Sequence, residues 1–399
     1  MAKEGKSMAT PRLRFSEFRE AGEWNEKPLK DICAVNPSSD DLPESFVYID
    51  LESVEGGNLN AKNHIAKKDA PSRAQRLLRN GDVVFQIVRP YQRNNLFVEF
   101  ADNETYVAST GYAQLRAHGS ERFLYQVVHT DPFVEKVIAK CTGSSYPAIN
   151  SSDLADVYLF IPPILQEQQK IAACLTSLDE VITAQGQKVE ALKTWKRGLM
   201  QQLFPREGET LPRLRFPEFH DAPEWEVKPL SGVCDMQAGK FVAASEISDK
   251  QEEGFYPCFG GNGLRGYTKT YTHSGKYPLI GRQGALCGNI NFAEGFFHAT
   301  EHAVAVTPKA HNSVDWLFYA LGFLNLNRFA TGQAQPGLSV EVIEKVTCVV
   351  PKFEEEQQKI SDCLSSLDIR ITVESEKFDA LKTHKKGLMQ QLFPSLEVD

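Results

Sequence analysis

The densest group of side chains suited to ligand chemistry runs from Lys62 to Arg93. Lys62, Lys67, Lys68, Arg73, Arg76, Arg79, Arg89 and Arg93 stand there against only Asp69 and Asp82. Gln75, Gln86, Gln92, Asn94, Asn95 and Tyr91 are interleaved with them. Lysine and arginine neutralise phosphates, while arginine, glutamine and asparagine make paired hydrogen bonds to the edges of guanine and adenine. The same composition also suits a solvated basic face, and this segment alone does not choose between the two. A smaller basic and aromatic set, Asn262, Arg265, Tyr267, Lys269, Tyr271, Arg282 and Gln283, lies among many glycines. Those glycines allow a backbone to approach a ligand closely, and they equally suit tight turns.

Two apparent cofactor motifs fail on context. Phe259, Gly261 and Gly263 resemble the cofactor loop of an adenine methyltransferase, and Gly261, Gly263 and Gly266 have dinucleotide-fingerprint spacing. A helix must open after that fingerprint, whereas this chain continues YTKTYTH, which reads as strand and turn. The methyltransferase would also need an Asn-Pro-Pro-aromatic loop, and the nearest string is Asn36-Pro37-Ser38-Ser39. His298 and His302, with Glu301, fall in an alternating run, His298–Val306, that predicts a strand with both imidazoles on one face. No third ligand stands nearby, so no metal is expected. No phosphate-binding loop, nuclease-type carboxylate–lysine cluster or nucleophile with its base is found, and no catalytic residue is assigned.

The elements that position these sets are written twice. Glu167–Pro205 and Glu356–Pro394 match without a gap, with about two positions in three identical, which marks an internal duplication. Apolar residues fall at steps of four and three: Ile171, Leu175, Leu178, Ile182, Val189, Leu192, Leu199 and Leu203 in the first copy. Ile360, Leu364, Leu367, Ile371, Phe378, Leu381, Leu388 and Leu392 repeat the pattern in the second. A seam of period 3.5 predicts two long helices that pair as a coiled coil, each on the order of 55–60 Å long. Gln185 and Lys196 interrupt the first seam, and Glu374 and Lys385 the second. An antiparallel register that sets Lys196 near Asp368 also sets Lys385 near Asp179; lysines snorkelling to solvent are the alternative.

A second phrase repeats as well. TPRLRFSEF at Thr10–Phe18, with Glu23-Trp24 and Lys27-Pro28-Leu29, returns as LPRLRFPEF at Leu211–Phe219, with Glu224-Trp225 and Lys228-Pro229-Leu230. Its offset is 201 residues against 189 for the helices, so the second half is shorter in its middle by twelve. Between phrase and helix lie two divergent regions whose short β-like runs, Phe46–Leu51, Asp82–Val88, Tyr106–Ser109, Tyr277–Ile280 and Asn289–Phe292, predict compact α+β modules. They converge again at CTGSSYPAINSSDLADVYLFIPP and ATGQAQPGLSVEVIEKVTCVVPK, each a Thr-Gly turn, a proline, a β run and a final proline before the helix. The expected plan is an arm over 1–30 (disordered at 1–9), a module over 31–162, a helix over 163–205 and a linker over 206–231. A module over 232–351, a helix over 352–394 and a tail over 395–399 complete it. The fold class is α+β, with two globular heads separated by two long helices packed as an antiparallel coiled coil and related by a pseudo-two-fold repeat.

The 399 residues suffice for two or three domains with cores of their own. No apolar run approaches the roughly 18 residues of a membrane span, and no secretion signal is read. The eight cysteines form no C-x-x-C pair and read as reduced, packed thiols of a cytoplasmic protein. A net charge of −8 argues against coating nucleic acid with the whole surface but allows a local basic face.

With these residues in view, the chain resembles the specificity subunits of type I restriction–modification systems. The repeated EQQKI…LKTxKxGLMQQLFP helix is the most specific part. YIDLESVEGG, APSRAQR, VRPYQRN and VASTGY resemble one class of recognition head, and GGNGLRGYT, IGRQGALCGN and HATEHAV another. The resemblance implies a non-catalytic subunit whose heads each read a few base pairs of double-stranded DNA, mainly in the major groove. The paired helices would act as a ruler between the halves of a split, asymmetric target. It further implies two modification subunits, carrying S-adenosylmethionine and methylating adenine, and two restriction subunits using ATP and Mg. No cofactor is implied on this chain. By this reading the DNA-contact candidates are Lys67, Lys68, Arg73, Gln75, Arg76, Arg89, Tyr91, Gln92, Arg93 and Asn94 in the first head. In the second they are Asn262, Arg265, Tyr267, Lys269, Arg282 and Gln283. Ser144, Ser145, Gln333 and Gln335 of the Thr-Gly turns are added. The alternative from another class is a coiled-coil scaffold that assembles partners without reading DNA.

Overall fold

A computed structural model describes residues 8–38, 41–332 and 336–394. Seven α-helices are described: α1 Glu121–Val127, α2 Asp131–Ala139, α3 Ser151–Ala155, α4 Leu165–Leu203, α5 Val314–Phe323, α6 Val340–Lys345 and α7 Glu354–Leu392. The two duplicated segments are α4 and α7, each 39 residues long. The chain divides into two compact units, and the division cuts both long helices. One unit holds residues 1–186 and 377–399, the other residues 187–376.

In the first unit a sheet runs in the order Leu96–Phe97, Val83–Gln86, Tyr112–Ala117, Cys33–Val35. A second sheet runs Asn63–Ala66, Ser45–Ile49, Tyr106–Ser109, Ala74–Leu77, with a parallel pair at its centre. In the second unit one six-stranded sheet runs Cys234–Ala238, Ala303–Pro308, His273–Gly281, Ile290–Ala299, Tyr256–Gly260, Gly263–Thr268. The first four of these strands reproduce the order of the first head's sheet. Each begins at the cysteine after the Lys-Pro-Leu phrase, and each is followed by a helix capped by serine, Ser120 or Ser313. The heads therefore share a framework that their sequences do not show.

The repeated phrase explains itself in this framework. Trp24–Pro28 pairs antiparallel with Tyr158–Ile161, the strand entering α4, and Glu226–Pro229 pairs with Thr347–Val350, the strand entering α7. The Lys-Pro-Leu proline ends each strand, where a missing N–H is tolerated. Arg14 then grips Glu167 with two hydrogen bonds of 2.7 and 2.8 Å, and the Trp24 indole N–H donates to the same carboxylate at 3.2 Å. Arg215, Trp225 and Glu356 repeat the latch at 2.7, 2.8 and 3.1 Å. Both carboxylates are only 1% exposed, so the opposite charge and the indole donor are what make their burial tolerable.

Several expectations are corrected. The seam is not coiled coil throughout. Ile171 and Leu175 belong to the first head's core with Trp24, Phe123 and Phe133, and Ile360 and Leu364 to the second head's core with Trp225 and Trp316. Leu392 at the end of α7 and Phe393 just beyond it complete the first core, as Leu203 and Phe204 at the end of α4 complete the second. Leu178, Ile182, Ile371, Phe378 and Leu381 are half-buried, and Val189, Leu192 and Leu367 buried. The run His298–Val306 is not one strand, because it breaks at a turn over 300–302. His298 is fixed by Thr270 and the Lys240 carbonyl, both at 3.0 Å, while His302 lies beside Glu301 at 3.2 Å, so the two imidazoles do not share a strand face. Residues 8–9, expected to be disordered, form a strand against Trp24 and Asn25; residues 1–7 and the tail at 395–399 lie outside the described residues.

The helix register is antiparallel within each unit. In the first, Gly186 faces the Phe378 ring and Lys385 reaches Asp179 at 2.5 Å. In the second, Lys188 meets Glu374, and Lys196 holds both oxygens of Asp368 at 2.6 and 2.7 Å. Each aspartate also takes a hydrogen bond from its head's capped helix, from Gln126 at 2.9 Å or Tyr319 at 2.8 Å. The lysine–aspartate pair is thus a three-way joint between head, own helix and opposite helix.

Candidate nucleic-acid interface

The two heads present one corresponding turn. In the first, the strand Val83–Gln86 runs into residues 87–89, which a strap over 142–149 clasps. The Ile149 N–H donates to the Ile87 carbonyl at 3.1 Å, Val88 bridges to Ala148, and the Arg89 N–H donates to the Pro147 carbonyl at 2.7 Å. In the second, His273–Gly281 runs into residues 282–284. The Leu338 N–H donates to the Arg282 carbonyl at 2.8 Å, Gln283 bridges to Gly337, and the Gly284 N–H donates to the Pro336 carbonyl at 2.9 Å. The straps are closed alike, by bridges Thr142–Ala148 and Thr331–Gly337. They are the two Thr-Gly turns of the sequence, and Gly143 and Gly332 both take positive φ, 91° and 98°.

Arg89 closes the first turn and Tyr91 and Gln92 follow it directly, while Ser144 and Ser145 lie in the strap that clasps it. Arg73 is adjacent, because the Thr110 N–H donates to its carbonyl while the Ile87 N–H donates to Gly111. Gln75 is exposed, and its amide donates to the Ser72 carbonyl at 2.7 Å. Arg76, on the same strand, has a buried Nε without a partner, and its pKa is lowered by burial. Arg93 is engaged elsewhere, donating to Asp131 at 2.6 Å and to the His129 carbonyl at 3.0 Å; this holds the Asp131 carboxyl below its ordinary range. Asn94 accepts from the Gly56 N–H. Lys67 and Lys68 lie apart, in a turn at the start of the Ser45–Ile49 strand, whereas Arg73 precedes the strand paired with the far end of its parallel neighbour. Lys62 is consumed by Asp102 and Glu104. The Lys62–Arg93 stretch is therefore not one basic face.

In the second head the Gly261, Gly263 and Gly266 set lies in a β-hairpin, not at a helix start. Its tip presses on the turn so closely that a Cβ on Gly281 would stand 1.9 Å from the Gly261 carbonyl oxygen. This brings exposed Asn262 and Arg265 beside Arg282 and exposed Gln283, with the Arg282 N–H donating to the His302 carbonyl at 2.9 Å. Tyr267 and Lys269 lie at the hairpin's other end, Lys269 over the Phe255 ring at 5.6 Å. Gln333 and Gln335 lie outside the described residues. Sequence reasoning missed Tyr146, 65% exposed and stacked 4.1 Å from the Arg89 guanidinium. The signal was available, since Tyr146 stands opposite Gln335 at the 189-residue offset. No group of three or more metal-binding side chains occurs among the described residues.

Two mixed α/β heads, each closed over segments of the same two long helices and each presenting a strapped polar turn, define a two-headed binding protein. The family model for the type I restriction modification DNA specificity domain matches residues 21–194 and 223–383, and the chain belongs to that family. Its curated relatives are named as specificity subunits, the non-catalytic components of such systems. The EcoprrI specificity subunit of Escherichia coli is 46% identical over 135 residues, 34% of each chain. The MjaVIII specificity subunit of Methanocaldococcus jannaschii is 24% identical over 277 residues, 63% of this chain and 64% of that one. The chain thus spans about a third and under two thirds, respectively, of these relatives' lengths. In fold it is similar to the crystal structure of a type I restriction–modification S subunit from M. genitalium, with TM-score 0.65, 15% identity and coverage of 97% of this chain and 100% of that one. A chain from work on assembly and conformational transition of the type I system matches with TM-score 0.55 and 22% identity, covering 93% and 98%. No described helix is long and apolar enough to cross a membrane.

Proposed function

We propose that this chain reads a bipartite, asymmetric DNA target, one half-site per head, and directs adenine methylation and restriction by partner subunits. The observation that supports this most is the corresponding strapped turn, held by the same backbone bonds in both heads but bearing different side chains, Val88-Arg89 against Gln283-Gly284. A retained frame with altered hydrogen-bonding groups is what two different base sequences require. The paired helices set the gap between half-sites. Two modification subunits supply S-adenosylmethionine chemistry, and two restriction subunits supply ATP- and Mg-dependent translocation and cleavage. Methylated adenines mapped in cells with the cognate modification subunit, with and without this chain, test the reading. A single split motif, methylated on both strands and lost without the chain, is expected. Unchanged methylation by an active modification subunit refutes it in favour of a scaffold.

A further inference from the structure

Arg89 sits at φ 54°, ψ 55°, a left-handed conformation that the second head gives to glycine, Gly284 at φ 87°. A Cβ-bearing side chain is strained in that conformation, and glycine would relieve the strain. Its guanidinium lies 4.1 Å from the Tyr146 ring centroid, its Nε is buried without an acceptor, and its side chain makes no hydrogen bond or ion pair with any described residue. Arg76 shares the unpartnered buried Nε, whereas Arg14 has Glu167, Arg93 has Asp131 and Arg116 has Asp82. A half-buried cation held over a ring, with no acceptor among the described residues, is arranged to receive one from outside. The pair is also lost together, for the second head has Gly284 and Gln335 at the matching positions.

We propose that Arg89 reads a guanine in the first head's half-site, donating two hydrogen bonds to O6 and N7, and that Tyr146 is the positioning residue that fixes the plane of the guanidinium. This rests on the DNA-reading function. Contact with the ring limits how the guanidinium can turn, and a restrained planar fork matches the paired acceptors of guanine. A phosphate contact needs no such orientation and would leave base preference untouched.

The test uses the full chain with its modification subunit and maps methylated genomic adenines for the parent and for Arg89→Gly, Arg89→Lys, Tyr146→Ala and Tyr146→Phe. Glycine suits the left-handed backbone, so Arg89→Gly keeps the turn, and a matching thermal melt verifies it. The parent motif should contain a G·C pair at one position of one half-site. Arg89→Gly should relax that position alone, by about 10- to 100-fold in preference. Arg89→Lys, which cannot form the planar fork, should relax the same position. Tyr146→Ala should relax it less, and Tyr146→Phe, which keeps the ring, should not. An unchanged motif in Arg89→Gly, or uniform weakening without altered base preference, overturns the proposal while leaving DNA reading intact. Absence of any motif from the parent complex overturns DNA reading itself.

Discussion

Replacing Arg14 by methionine isolates the carboxylate of Glu167 inside the first head. In the parent it receives two guanidinium hydrogen bonds at 2.7 and 2.8 Å and one indole hydrogen bond at 3.2 Å, with 1% of its side chain exposed. Methionine keeps the apolar stem and removes both charged donors, leaving a buried anion with the Trp24 N–H alone. Breaking a buried pair from one side costs about 3–5 kcal/mol. For a unit of this size, that is a melting drop on the order of 10 °C. Hydrogen exchange separates the heads: amides of Trp24–Pro28 should lose protection while those of Glu226–Pro229, behind the intact Arg215–Glu356 latch, should not. Adding Glu167→Gln removes the stranded charge and keeps an acceptor for Trp24. The double variant should therefore be more stable than Arg14→Met, with a coupling of about 2 kcal/mol or more. A loss below about 1 kcal/mol in the single variant, or strict additivity in the double, refutes the latch as a buried ion pair.

Tyr319→Phe deletes one hydroxyl donor to Asp368 and should cost about 1 kcal/mol in the second unit by denaturant melts, with Lys196→Met costing less and losing its effect in high salt. His129 is held near a pKa of about 4 by burial, below its ordinary value of 6.5. The unfolded chain therefore takes up a proton as pH falls below 6.5 that the folded head refuses until about 4, so stability is whole above 6.5 and declines through that window. By pH 5 the loss should be about 1–2 kcal/mol, and His129→Gln should flatten that part of the pH profile in thermal melts. Burial pushes the Cys33, Cys234 and Cys348 thiols up to about 12, so mass spectrometry after maleimide treatment at pH 8 should find them unmodified in the folded protein.

The elements carrying long-range periodicity were legible in the sequence. Helices α4 and α7 begin within two residues of the expected starts, and the register inferred from four charged residues, Lys196 with Asp368 and Lys385 with Asp179, is present. The repetition of Arg14, Trp24 and Glu167 was equally visible, but not their meeting, because a buried ion pair joining residues 153 apart leaves no local pattern. The heads were legible only as α+β texture. Their common sheet order is maintained by backbone pairing, which Cys33–Val35 and Cys234–Ala238 satisfy with different side chains. At the candidate interface, counting charge grouped Lys67, Lys68, Arg89 and Arg93 as one face. The chain reverses between them, and Arg93 is neutralised by Asp131, which lies 38 residues along. Tyr146 escaped because an aromatic residue in a Ser-rich turn resembles an ordinary exposed tyrosine until Arg89 is seen beneath it.

The contribution of α7's last turn to the first head has a consequence for synthesis on the ribosome. Phe393 packs against Trp24 and Phe123, at ring distances of 6.1 and 5.7 Å, so that core is incomplete until residue 393 has been made. At about 5–20 residues per second, the interval from Trp24 to Phe393 is about 20–70 s. Throughout it the nascent first head exposes the apolar surface that Leu392 and Phe393 will cover. The second head has no such wait: Leu203, Phe204, Ile360 and Leu364, the helix residues of its core, all emerge before the C-terminal half of α7. The head made first is thus the head finished last.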